Sequence, residues 1–300
     1  MEGHMERITN HIFYFPGSVN MVYTYINETG VLIDGGLDEG RMKKVVREIT
    51  QAELPLTHLI VTHAHADHFG GVHWLQKNHS IITYAPPIEA SIMESPILEP
   101  IYLFGGTNPL PELRNKFLEA KPIKIDVLLH SDQLSLNEID FSLHPIPGHS
   151  YGQLAVGINK QVLFAADGYF SSEVLDKHGV PFLIDAKETI KSLEYLKTLK
   201  EYQFFLPGHG QVEQDIQQTI QYNITRHEEI LSAIGTFVLE YNKVSLEEVM
   251  TFILSKYNLE STNLGQWLLY RTAIQSYLRA LIEDSKIIYF LEDNRLLFKS

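Results

Sequence analysis

The chain contains no cysteine. That absence removes disulfides, thiolate metal ligands and a cysteine nucleophile together, so any metal held here has to take histidine and carboxylate. It also favours a cytoplasmic setting. No stretch reaches the roughly 18 uninterrupted apolar residues of a membrane-crossing helix. The N-terminus lacks a charged stretch followed by an apolar one, so the expectation is a soluble protein that is not exported. Positive charge is in short supply, with 24 Lys and Arg against 37 Asp and Glu and a formal net charge of -13. Such a balance disfavours general attraction to nucleic acid, membrane surface or other polyanions. Some of the acidic groups could themselves hold cations. Internal repeats and low-complexity tracts are also missing.

What is present is ordinary for a folded protein: 44% hydrophobic and 20% charged residues in a chain of 300. That length suits one large domain, or a catalytic domain with a smaller appendage. Met1-Glu2-Gly3-His4-Met5 reads as added residue ahead of a native start, which sets His4 aside.

The first part reads as strands at Ile12-Phe15, Met21-Ile26 and Val31-Ile33, separated by Gly17, Asn27 and Gly30. A helical pattern over 39–50 places Met42, Val45, Val46 and Ile49 on one face. Leu59-Ile60-Val61 is a wholly apolar run, as in a buried strand. Further strands are expected over 81–84, 123–129, 139–146, 153–158, 162–165 and 204–206, with helices over 72–77 and 187–200. Proline, glycine and exposed-looking aromatics crowd residues 91–121, which reads as an inserted loop or short-helix lid. Interleaved strands and helices of this kind suggest a layered α/β fold. From 214 onward the text is mainly helical, over 214–241, 246–257 and 265–284, and closes with a hairpin around Glu292-Asp293-Asn294. Helices and a terminal hairpin suggest a winged-helix-like extension, a shape best known from DNA-binding modules. Residues 211–300 nevertheless carry eight Lys and Arg against twelve Asp and Glu, which undermines nucleic-acid binding. The expected division is therefore a catalytic domain over 1–213 and an extension over 214–300.

Val61-Thr62-His63-Ala64-His65-Ala66-Asp67-His68-Phe69-Gly70-Gly71 follows the apolar run directly. His63 and His65 stand two apart on an extended segment and so point the same way. Asp67 and His68 open the next helix, and Gly70-Gly71 lets it pack close to the sheet. Zinc-like ions take neutral imidazole nitrogen and carboxylate oxygen, about four ligands per ion. Four candidates in six positions nearly complete one site and hint at two. Three later segments end an apolar run in a polar residue beside glycine: Pro147-Gly148-His149-Ser150, Ala165-Ala166-Asp167-Gly168 and Pro207-Gly208-His209-Gly210. Polar residues at strand ends of an open α/β sheet sit where ligands bind.

Taken in order, these residues resemble the metallo-β-lactamase superfamily over about the first 210 positions. The resemblance implies an αββα sandwich with a two-metal centre at one edge of its sheets. By it, His63, His65 and His149 would hold a first ion, Asp67, His68 and His209 a second, and Asp167 would bridge them. Asp34, in Asp34-Gly35-Gly36, would orient a ligand without touching metal. The tail resembles the winged-helix extension of an intracellular branch that includes an RNA-cleaving member. Zinc is the first choice of metal, with manganese or iron also suited to these ligands.

The expected function is a hydrolase with two divalent ions. The ions would acidify a water between them and polarise the scissile group. Asp67 would hold the second ion and orient the attacking group or pass a proton to the leaving group. Tyr169, near Asp167, is a candidate to steady a substrate oxyanion, against the plainer role of a packed aromatic. Tyr102, Phe104 and Phe117 could line a cleft or anchor the insert. His58, His73, His79, His130, His144, His178 and His227 read as surface or packing residues. Superfamily hydrolases cleave thioesters, lactones, β-lactams and phosphodiesters, and the acidic balance favours a small ester, thioester or lactone. The alternatives are an RNA or DNA phosphodiesterase and a mononuclear iron persulfide dioxygenase. The partner is a small molecule, and the apolar C-terminal hairpin and helix could form a homodimer contact.

Overall fold

The computed structural model describes residues 3–300. Seven strands form the first sheet: β1 (Glu6–Arg7), β2 (Ile12–Phe15), β3 (Met21–Ile26), β4 (Thr29–Ile33), β5 (His58–Ile60), β6 (Ile82–Ala85) and β7 (Val127–Leu128), lying side by side in chain order. The second sheet holds β8 (Gln133–Leu136), β9 (Ile139–Pro145), β10 (Leu154–Ile158), β11 (Val162–Ala166) and β12 (Phe204–Pro207), in the order β12-β11-β10-β9-β8. Alternation along each strand explains why these runs are apolar throughout. In β3, Met21 and Tyr23 face helices while Val22 faces the other sheet; in β11, Leu163 and Ala165 face helices while Val162 and Phe164 face inward. Both faces of these central strands are therefore buried, and their period-2 pattern is filled with hydrophobic residues on both sides.

Helices cover the outer faces. On the first sheet lie α1 (Glu39–Gln51), α2 (Ala66–Phe69), α3 (Val72–Asn78) and α4 (Pro87–Glu94), and α5 (Leu98–Leu103) follows in the insert. α1 starts at Asp38, whose side chain accepts from the Arg41 amide, and presents Met42, Val45, Val46 and Ile49 to the core. The second sheet is covered by α7 (Ala186–Leu196), preceded by α6 (Ser172–His178), and by the start of α8 (Gln217–Tyr241). The result is the expected αββα sandwich.

Four local expectations change. Residues 123–125 do not extend β7, because the Ile123 amide bonds Met93 O, the Lys124 amide Gln76 Oε1 and the Ile125 amide Glu94 Oε1, so helices rather than a strand satisfy this backbone, and only at Asp126 does an amide turn to Thr83 O of β6. β8, absent from the expected strands, is a short edge strand of alternating exposure with little apolar signal. α6, capped by Ser171, was also not expected. The helix expected over 187–200 ends at Leu196.

The tail comprises α8, α9 (Leu246–Lys256), α10 (Leu264–Glu283) and the hairpin β13 (Ile288–Glu292) with β14 (Arg295–Lys299), tied back by a Val244–Phe298 bridge. It is docked on the sandwich. One apolar cluster joins Val180, Leu183 and Ala186 to Ile230, Ile234, Ile274 and Tyr277, and the Ala186 amide bonds Ser276 Oγ. The insert packs on the tail as well, since Leu103, Leu113 and Leu118 close around Leu268 of α10. Ile288, Tyr289, Leu291 and Leu296 of the hairpin are exposed. Among the described residues no helix is long and apolar enough to cross a membrane.

Candidate metal centre

The ends of β4, β5, β11 and β12 and the loop before β10 meet at one edge of the sandwich. His63 and His65 leave β5 on extended backbone, and His68 lies on α2 directly after. His149 sits in the loop between β9 and β10, Asp167 follows β11, and His209 follows β12. A register shift in the β11–β12 pairing between Phe164 and Ala166 precedes Asp167, and Ala166 has a positive φ of 44°. Bulges of this kind re-aim the side chain that follows. Gly208 is required by close approach: a Cβ there would collide with Asp167 Oδ1.

Three ligand groups result. His63, His65 and His149 form one trio, Asp67, His68 and His209 another, and His63, His68 and Asp167 link them, with the atoms in each group within 4.8 Å of one another. Tautomers are fixed from outside. His149 Nδ1 donates to Phe182 O at 3.0 Å, His209 Nδ1 to Ser18 O at 2.6 Å, and His68 Nδ1 to Asp34 Oδ2 at 2.6 Å. His63 Nδ1 lies 3.1 Å from Thr62 Oγ1, which itself donates to Asp34 Oδ2 at 2.9 Å. Each Nδ1 proton thus points outward and each Nε2 faces inward.

The inward atoms are close. His63 Nε2 and His149 Nε2 lie 3.1 and 2.8 Å from His65 Nδ1. With the outer tautomers fixed, these three nitrogens bring more lone pairs together than protons to share, and a cation between them removes the conflict. In the second group His209 Nε2 is 3.5 Å from Asp67 Oδ2 and 3.4 Å from Asp167 Oδ2. His68 Nε2 stands 3.2 Å from Asp167 Oδ1, yet without hydrogen-bond geometry, so both buried atoms lack a partner among the described residues. Ligands bound tetrahedrally at about 2.1 Å lie about 3.4 Å from one another. The residues fit a pair of divalent ions.

The electrostatics differ between the trios. Burial, reinforced by neighbouring imidazoles, holds His63 well below the usual histidine range and His65 down at about 3, and burial also lowers His149 despite Asp167. These rings are neutral at ordinary pH, the form in which imidazole can hold a metal. Burial also acts against charge on His68 and His209, but Asp167 with Asp34 on the one, and Asp167 with Asp67 on the other, overcome it. His68 rises well above its usual range and His209 to about 10. Asp67 falls to about 2, its burial outweighed by His68 and His209. The second trio therefore demands positive charge.

Two carboxylates frame this centre. Asp34 adopts φ 65° and is fully buried, accepting from the Thr62 amide at 2.8 Å as well as from His68. These are the contacts that the orienting role expected of it requires. Glu89, on α4, was not anticipated. It accepts from the Ala64 amide at 2.8 Å, Ser150 Oγ at 3.0 Å and the Gly152 amide at 2.6 Å, so one carboxylate ties the histidine loop to the loop carrying His149. Nothing in Pro86-Pro87-Ile88-Glu89 signals that role.

A cavity of about 470 Å³ opens on the centre, within the range of small-ligand pockets. Its floor includes His65, Asp67, His149, Asp167 and His209. One wall comes from the insert through Glu99, Phe117 and Leu118, another from Phe170 to Phe182, and a third from α10 through Gln266, Leu269, Tyr270 and Ala273.

Tyr169 is not on this surface. It is 1% exposed and packs with Ile146, Leu193 and Leu196, its phenol raised first by burial and then by Glu213. The chain turns at Gly168, so Tyr169 faces the core and its neighbour Phe170 lines the cavity. His178 does line the cavity, contrary to its reading as mere packing, whereas His227 is buried against the Tyr277 hydroxyl at 2.8 Å. Phe117 lines the cleft; Tyr102 and Phe104 anchor the insert against the tail.

Residues 14–209 match the family model described as Metallo-beta-lactamase superfamily. A beta-lactamase-like protein 2 homologue of Drosophila melanogaster is 24% identical over 75% of this chain and 70% of its own length. A hydroxyacylglutathione hydrolase of Haemophilus ducreyi is 24% identical over 58% of this chain, which spans 59% of that relative. Among solved structures, a metallo-beta-lactamase family protein from Thermus thermophilus superposes with a TM-score of 0.77 at 15% identity, covering 98% of this chain and 100% of that one. That likeness extends through the tail and shows the fold.

Proposed function

The chain belongs to the metallo-β-lactamase superfamily and is a metal-dependent hydrolase of that fold, and we propose that it works with two divalent ions, zinc in the first instance, on a small ester, thioester or lactone. One observation carries the reading. Seven side chains from four separate segments bring their free ligand atoms together while the other ring nitrogens of His68, His63, His149 and His209 are held by Asp34, Thr62, Phe182 and Ser18.

In this reading His63, His65 and His149 hold the first ion, Asp67, His68 and His209 the second, and Asp167 both. Such ions, when bound, acidify water and polarise a scissile carbonyl. Asp67 borders the cavity and remains anionic, so it can orient the attacking group and take up or return a proton. Phe170 and Phe182 limit bulk water beside the centre. The activity in the name of the Haemophilus relative, hydrolysis of an acylated thiol, supports acyl transfer to water.

The phosphodiesterase reading gains no support. No Lys or Arg lines the cavity among the described residues. If the tail is a winged helix, α10 is the helix that would read a groove. Here its faces meet the cleft, the insert and the tail core, leaving Gln275, Arg279 and Glu283 as its exposed positions. A mononuclear iron dioxygenase would not need the full second trio.

The test is metal analysis of protein purified without chelator, followed by turnover of thioester, lactone, β-lactam and bis-p-nitrophenyl phosphate substrates. Two equivalents of metal with preference for the thioester or lactone is the expected outcome. One iron per chain with oxygen uptake, or preference for the phosphodiester, would overturn the reading.

A further inference from the structure

Glu99 lies on α5, inside the insert, and its side chain lines the cavity although the residue is only 5% exposed. A carboxylate so buried requires a hydrogen-bonding or cationic partner. Among the described residues its surroundings supply none. What faces it is apolar burial and two further carboxylates, Asp67 and Glu89, all of which act against its ionisation, and the Tyr102 phenol is in turn raised by burial and by Glu99. Glu89 has three donors of its own and Asp67 is engaged by His68 and His209. Glu99 alone is left incomplete, on the side of the cavity that borders the metal-holding floor.

The rest of the lining has the same bias. No Lys or Arg borders the cavity among the described residues. Lys116, next to the lining residue Phe117, is turned to Asp38 at 2.9 Å. Phe117, Phe170, Phe182, Leu269 and Tyr270 supply apolar and aromatic surface, and aromatic faces tolerate a cation far better than an anion.

We propose that Glu99 is a specificity-determining residue that pairs with an ammonium group of the substrate, so that the cleft takes esters, thioesters or lactones of apolar acids bearing an amine near the scissile carbonyl. This rests on the hydrolase reading for the bond that is cut, but not for the binding preference. The ammonium supplies the missing partner of Glu99 beside Asp67, and the apolar portion of the acyl group lies against the insert and α10. Substrates with a carboxylate in that place meet Glu99 and Asp67 and are excluded. The chemistry differs from an anionic thiol carrier, for which the cleft offers no Lys or Arg among the described residues.

The test uses three matched thioethers, which no hydrolase cleaves: 2-amino-3-phenylpropyl methyl sulfide, 3-phenylpropyl methyl sulfide, and the analogue with a carboxylate in place of the amine. Their affinities for the metal-loaded full chain are measured by calorimetry. The amine is expected to bind at least about tenfold tighter than the neutral compound, and the carboxylate most weakly. Glu99→Gln, checked for folding by circular dichroism, is expected to bring the amine and neutral compounds within about threefold of each other. A neutral compound that binds as well as the amine in the unaltered protein overturns the proposal without recourse to any variant. An amine preference that survives Glu99→Gln also overturns it. The corresponding phenylalanine and phenylpropionate thioesters are then assayed for turnover. An amine preference in binding without hydrolysis of any thioester would defeat the hydrolase reading and leave the ammonium site standing.

Discussion

Asp34 and His68, 34 positions apart, share a 2.6 Å hydrogen bond between two side chains that are wholly buried. Through Thr62 the same carboxylate also reaches His63, so one residue outside the ligand set orients a member of each trio. Such partners tune metal affinity through ring orientation and basicity. Asp34→Asn is therefore expected to weaken the second ion by about 10- to 100-fold while leaving the fold intact. Chelator competition followed by metal analysis measures this; unchanged retention of both ions would contradict it.

The two trios should respond differently to pH. His209 is raised to about 10, so below that pH it carries a proton which an incoming ion has to displace. His65, held at about 3, carries none in the neutral range, and His63 and His149 are shifted in the same direction. From pH 6 to pH 9 the apparent affinity of the second ion should rise by about tenfold per unit for each proton released, while that of the first stays nearly flat. In chelator-treated protein, His209 stabilises the fold most below its unfolded value, and that contribution is lost as pH rises through about 10. Metal titrations across this range decide the matter, and parallel pH dependence of both ions would refute the assignment.

Glu89 joins two ligand-bearing loops through three donors. Glu89→Ala leaves two backbone amides and a hydroxyl without their acceptor inside the protein. A cost of about 2–4 kcal/mol is expected, which for a chain of this size lowers Tm by roughly 5–15 °C. Loss of metal should accompany it, because His63, His65 and His149 no longer share one frame. Calorimetric melting with and without zinc tests both parts; a variant with unchanged Tm would rule out the bracing role.

Leu268 links α10 to the insert by packing with Leu103, Leu113 and Leu118. Leu268→Ala should cost about 2–4 kcal/mol if the cavity left behind stays open. Because it loosens two walls of the cleft and no ligand, the expected kinetic signature is a raised KM with kcat within about threefold. A fall in kcat with KM unchanged would show that this contact serves the centre rather than the cleft.

Much of the centre could be read from the sequence, for a physical reason. His63, His65, Asp67 and His68 are covalently close, and extended backbone turning into a helix leaves few directions in which their side chains can point. The later members, His149, Asp167 and His209, each closed an apolar run beside glycine, and the ends of buried strands gather at one edge of a sandwich. Glu89 carried no comparable signal, since a carboxylate early in a helix is common. Tyr169 misled for the opposite reason: nearness to Asp167 along the chain suggested nearness in function, but the turn at Gly168 sends it into the core. For residues 123–125, neighbouring helices took the backbone hydrogen bonds that a strand would have used.

By itself the sequence determined the chemistry on offer: imidazole and carboxylate without thiol, central strands apolar on both faces, and four candidate ligands forced together by one short turn. Local covalent geometry and alternation reach only a few residues, and those features need no more. The tertiary structure decided which distant groups complete them. Packing of the two sheets brought His149, Asp167 and His209 to the histidine turn, α4 delivered Glu89, and docking of α10 on the insert closed a cleft around Glu99. Those outcomes depend on how separate apolar surfaces bury one another, which is a property of the whole fold and of no single stretch of the chain.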